Sequence, residues 1–114
     1  MRVLLKASLS LDAANQAVRQ GKISETIRSI LEDQKPEAAY FVAENGKRTA
    51  YLFLDIQNAS ELPAIAEPWF LAFNASVEVT PAMTAQDLAN AGPGFERAIK
   101  KYGSLTQMQS AAAR

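Results

Sequence analysis

Apolar and polar side chains alternate from the first residues. Val3, Leu5, Ala7 and Leu9 interleave with Arg2, Leu4, Lys6 and Ser8, which predicts a strand with one apolar face over residues 1–9. The period then changes. Ala14, Ala17, Val18 and Gly21 share one helical face, and Ile23, Ile27, Ile30 and Leu31 share another. At about 100° per residue the two sets are nearly opposed, so one straight helix cannot bury both. Gly21-Lys22 marks the change of phase. The pattern predicts a short first turn or irregular segment, then a helix capped by Ser24 and ended by Pro36.

Two apolar runs follow, AAYFVAE and KRTAYLFLDI, separated by Asn45-Gly46. Those two residues suit a type I′ turn, where both central positions need φ > 0. The hairpin then sets Glu44 opposite Lys47, Val42 opposite Thr49, Tyr40 opposite Tyr51 and Ala38 opposite Phe53. A type I turn with a bulge is the alternative and shifts the register by one residue.

Beyond the hairpin, Asn58 or Ser60 is placed to cap a second main helix, with Pro63 tolerable in its first turn. Leu62, Ile65, Ala66, Trp69 and Phe73 recur at helical spacing, and Pro68 is expected to kink or divide the segment. Residues 75–83 alternate again as a strand. Thr84 with Asp87 reads as a capping box for a third helix, Gly92-Pro93-Gly94 breaks it, and Phe95 to Tyr102 resumes up to Gly103. The order strand, helix, strand, strand, helix, strand is the split β-α-β of the ferredoxin-like fold. The expectation is thus an α+β domain over residues 1–103, ferredoxin-like βαββαβ, with a four-stranded antiparallel sheet and a C-terminal helical extension. Residues 104–114 are expected to be a frayed helix or disordered.

The strand periods sort the sheet residues into two faces. One collects Val3, Leu5, Ala7, Ala39, Phe41, Leu52, Leu54, Val77 and Val79, the seat for helices. The other collects Lys6, Ser8, Tyr40, Val42, Thr49, Tyr51, Phe53, Asp55, Ser76 and Glu78, with Arg2 as a further candidate. A solvated sheet face is usually polar, and three aromatics on one face make an unusual patch. The expectation is that a second copy packs its own sheet there, giving a homodimeric α+β barrel with a semi-enclosed lumen.

Composition narrows the chemistry. The 114 residues make one domain, and 12 basic against 12 acidic side chains leave zero net charge. That balance gives no electrostatic footprint for a phosphate backbone or an anionic membrane. Tyr40 and Tyr51 are of a type that stacks bases, but the charge and the missing RNP1 pattern argue against RNA, so no nucleic-acid partner is expected. The chain has no cysteine, which removes disulfides, thiolate nucleophiles and zinc-thiolate sites. It has no histidine, which excludes a Ser-His-Asp triad. No metal and no cofactor is expected. Without a leader-like start or a membrane-length apolar run, a cytoplasmic protein is the default.

The candidate ligand-binding residues are Lys6, Tyr40, Tyr51, Asp55, Glu78 and Trp69. Lys6 and Glu78 belong on neighbouring strands, as an acid–base pair for chemistry or, more simply, as a cross-strand ion pair. Tyr40, Tyr51 and Asp55 offer phenols and a carboxylate to a small organic ligand, or else fill the dimer interface. Trp69 walls a pocket or, at its helical spacing, lies in the core. Gly92-Pro93-Gly94 lacks the strand-to-helix setting of a phosphate loop and reads as a turn.

The segments KPEAAYF…NGKRTAYLFLDI and LPAIAEPWFLAFNASVEVTPAM, between Lys35 and Met83, resemble a set of small uncharacterised proteins in the dimeric α+β barrel superfamily. Muconolactone isomerases and small cofactor-free monooxygenases are also grouped there. The resemblance covers a little under half the chain and is a pattern of packing residues. It implies a ligand site between the open sheet face and surrounding helices. No histidine or metal motif carries over. Whether the chain is an enzyme stays open: a homodimer binding a small apolar or aromatic molecule, a cofactor-free isomerase or monooxygenase, and a protein–protein interaction module all fit.

Overall fold

The computed structural model describes residues 1–104, so the expectation for the tail falls almost wholly outside the described residues. By its internal contacts the chain forms two compact units, Met1–Ala82 and a second that begins at Met83. The first unit runs β1 (Arg2–Ser8), α1 (Leu11–Arg19), α2 (Ile23–Gln34), β2 (Ala38–Glu44), β3 (Lys47–Asp55), a 3-10 turn (Ala59–Glu61), α3 (Leu62–Phe73) and β4 (Ser76–Pro81). Its four strands lie in the order β2-β3-β1-β4, and every neighbouring pair is antiparallel. This is the ferredoxin-like arrangement that the element order predicts.

The hairpin turn explains the register. Asn45 and Gly46 sit at φ 53° and 74°, the left-handed values that a type I′ turn requires. Glu44 therefore faces Lys47, Val42 faces Thr49, Tyr40 faces Tyr51 and Ala38 faces Phe53. Val3, Leu5, Ala7, Ala50, Leu52 and Leu54 are buried with Ala14, Ile30, Trp69 and Phe73 from the helices, so one face of the sheet and the helices share one core. Trp69 is fully buried. Its indole N–H donates to Gln34 Oε1 at 3.4 Å, and Gln34 Nε2 donates to the Ile65 carbonyl at 2.7 Å, which ties α2 to α3.

Several local expectations are corrected. The segment after β1 is a nine-residue helix, not a short turn. Ser10 caps it by accepting from the Ala13 N–H at 3.4 Å, and buried Ala14 lets it lie close to the sheet. The phase change falls at Gly21, whose φ of 70° turns the chain sharply. Consequently α2 starts at Ile23, which packs on the core, and its cap position is Lys22, with Ser24 already inside the helix. Pro68 neither ends nor divides α3. The missing N–H leaves the Ala64 carbonyl without its helical partner, but Ala64 is exposed to solvent, and buried Trp69 and Phe73 anchor the turns beyond. Phe41 does point to the helix side, yet it is 51% exposed. The reason is that β2 is an edge strand, where helical cover runs out.

The second unit contains α4 (Ala85–Asn90) and α5 (Gly92–Tyr102). The capping box is present: Thr84 Oγ1 accepts from the Asp87 N–H at 3.0 Å, and Asp87 Oδ2 accepts from the Thr84 N–H at 2.9 Å. Gly92-Pro93-Gly94 forms the first turn of α5 rather than a gap before it, because proline without an N–H fits a helix start. No helix among the described residues is long and apolar enough to cross a membrane.

Candidate functional site

The open face of the sheet gathers the charged candidates. Lys6 lies in the centre of β1, opposite Tyr51 on β3 and Glu78 on β4. Strand pairing alone pointed to a Lys6–Glu78 ion pair. The structure corrects it: Lys6 Nζ lies 2.6 Å from Glu44 Oε2. Glu78 stays exposed and contributes to the field at Lys6 only from a distance. Lysine reaches past the neighbouring strand because Tyr51 positions the acceptor. The Tyr51 hydroxyl donates to Glu44 Oε1 at 2.6 Å, and Lys6 Nζ stands 6.0 Å from the Tyr51 ring centroid. Glu44 is thus the residue that sequence reasoning missed at this site. Its only sequence signal was a place at the hairpin end, facing Lys47.

The electrostatics of the three groups follow from that geometry. The Glu44 carboxylate is held below its ordinary range by the hydrogen bond from Lys6 and then by that from Tyr51, against a smaller desolvation cost. Glu44 as acceptor raises both partners in turn, keeping Lys6 charged and Tyr51 neutral. Every shift deepens the resting protonation state. Around this cluster, Tyr40 is 62% exposed on the edge strand and Val42 is exposed beside it, while Leu4 and Phe53 are half-buried. Thr49 is 2% exposed and donates its hydroxyl to the Lys47 carbonyl at 3.2 Å.

The other candidates are not brought into this cluster. Asp55 lies four residues from Tyr51 along β3, roughly 13 Å by strand rise, and accepts from the N-terminal ammonium at 3.2 Å. Nearby, Arg2 binds Glu37 through two bonds of 2.6 and 2.8 Å, which holds the Glu37 carboxyl below its ordinary range. Trp69 is in the helix-side core, away from the open face. Among the described residues no group of three His, Cys, Asp or Glu side chains is placed to hold a metal ion.

On the opposite, helix-covered side, a cavity of about 350 Å³ opens at the hairpin end between α2 and the β2–β3 pair. Ile23, Ile27, Phe41, Ala43, Arg48 and Ala50 are among its walls.

Fold and site together define a ferredoxin-like α+β domain with a neutralised acid–phenol–ammonium cluster on its open sheet face. The chain matches no protein-family model and no curated protein. Among solved structures it is similar to the de novo designed protein Ferredog-Diesel, at 12% identity and a TM-score of 0.43, over 71% of this chain and 85% of that one. It is also similar to a formyltetrahydrofolate deformylase from Pseudomonas putida KT2440, at 15% identity and a TM-score of 0.43. That match covers 71% of this chain but 28% of the deformylase.

Proposed function

We propose that this is a cytoplasmic homodimeric α+β barrel protein whose two open sheet faces meet, and that the lumen between them binds a small apolar or aromatic molecule. One observation carries the reading: a charge-balanced Lys6–Glu44–Tyr51 cluster lies on an open sheet face beside exposed Tyr40 and Val42. Aromatic side chains are favoured in interfaces, and a neutralised polar cluster costs less to enclose than a lone charge. The same cluster argues for binding over proton transfer. A catalytic carboxylate is tuned upward toward neutrality, whereas Glu44 is shifted down and Tyr51 up, away from neutral pH.

The test is sedimentation equilibrium of the wild-type chain against Tyr40→Glu. The substitution sets a carboxylate into each facing sheet and leaves the core untouched. The expected result is a dimer dissociation constant raised by at least about tenfold, with an unchanged far-UV spectrum. A wild-type chain that stays monomeric, or a Tyr40→Glu chain that dimerises equally well, overturns the reading.

A further inference from the structure

The helix-covered side of the sheet is incompletely filled at the hairpin end, and the residue types explain why. Across β2 and β3, Phe41 pairs with Ala50 and Ala43 pairs with Arg48, all facing the helix side. Two alanines in this floor, beneath Ile23 and Ile27 of α2, leave the cavity of about 350 Å³. The pocket is half-open to solvent, because Phe41 and Ala43 on the edge strand are exposed. An apolar cavity of about 150 Å³ already takes a benzene ring. This one has room for an aryl ring with a short chain.

Its walls are mainly apolar, but its rim is positive. Arg48 Nη1 donates to the neutral Asn15 Oδ1 at 2.9 Å, and among the described residues no carboxylate forms an ion pair with Arg48. Lys6 and Arg2, by contrast, each have an acidic partner. A guanidinium carries five N–H donors in a fork that matches a carboxylate. An adjoining groove shares Ile27 and Phe41 with the cavity and is lined by Arg28, which likewise forms no ion pair with a described residue.

We propose that this cavity is a binding site for a small monocarboxylate with an apolar or aromatic body, the carboxylate on Arg48 and the body between the alanine floor and Ile23 and Ile27. The charge at the mouth selects an acid over a neutral molecule of the same shape. The site lies on the opposite face of the sheet from Lys6, Tyr40 and Tyr51, so it stands or falls separately from the open-face interface.

The experiment is an NMR titration of the full ¹⁵N-labelled chain with 4-phenylbutyrate and with 4-phenylbutan-1-ol, the same body without the charge. The expected result is saturable shifts centred on Leu9, Ile23, Ile27 and residues 41–50. The acid should bind at least about tenfold tighter than the alcohol, the worth of a charge-assisted hydrogen bond. Arg48→Gln should abolish that preference. Ala43→Leu, at an exposed strand position that accepts leucine, should weaken both probes by filling the floor. Equal binding of acid and alcohol, shifts centred on Tyr40, Tyr51 and Glu78, or no saturation up to about 10 mM overturns the proposal.

Discussion

Truncating Trp69 tests the core most severely. The indole is fully buried, packs against Phe73 with ring centroids 6.2 Å apart, and bridges to Gln34 on α2. Trp69→Ala removes this packing and leaves a cavity the neighbouring elements cannot close, at a cost of about 3–5 kcal/mol. The hydrogen bond adds little, because 3.4 Å is long and half-buried Gln34 can bind water instead. For a domain of this size the loss corresponds to a fall in Tm of roughly 15–30 °C. Urea unfolding should be followed by far-UV circular dichroism, since Trp69 is the single tryptophan and the variant has no indole fluorescence. Trp69→Phe is the companion, keeping a ring while losing the N–H, at about 1–2 kcal/mol. A loss below about 1 kcal/mol for Trp69→Ala would refute the packing argument. Equal losses for the two variants would show that the hydrogen bond, not the volume, does the stabilising.

Glu44→Gln tests the open-face cluster through its pH dependence. Glu44 lies below its ordinary value of 4.5, so its stabilisation is present above that value and lost as pH falls through the lowered one. Lys6 and Tyr51 lie above their ordinary values of 10.5 and 10.0, so their contributions are full below those values and lost as pH rises through the raised ones. The Tm advantage of wild type over Glu44→Gln should therefore be flat between about pH 5.5 and 9 and shrink on both sides. An advantage that grows in acid contradicts the ion pair. Gly46→Ala tests the turn: a side chain at φ 74° should cost about 1–2 kcal/mol in the urea assay, and an unchanged midpoint would reject the type I′ geometry.

The parts of the fold that were legible in the sequence are those fixed by local chemistry. Asn45-Gly46 favours a type I′ turn over the bulged type I alternative, and the turn that forms sets every cross-strand partner of the hairpin. Strand alternation likewise assigns Val3, Leu5, Leu52 and Leu54 to the buried face. The misreadings arise where several elements compete. α1 meets the core through small residues, buried Ala14 with Ala17 packed beside it, so no large apolar side chain marks its inner face although the helix is complete. Phe41 has the right parity for the core, but cover at an edge strand depends on how far α2 extends over it. At the candidate site, register placed Lys6 opposite Glu78, yet the partner is chosen by side-chain reach and by the Tyr51 hydroxyl that holds Glu44. Arg48 carries no sequence signal of its own, because a cation with no ion-pair partner among the described residues is recognised only once its neighbours are known.

The assembly of the open face is the central claim, and solution mass tests it most directly. Light scattering at low micromolar concentration should give a mass near twice 12.4 kDa. A mass near 12.4 kDa would contradict the account and leave Tyr40 and Val42 facing solvent.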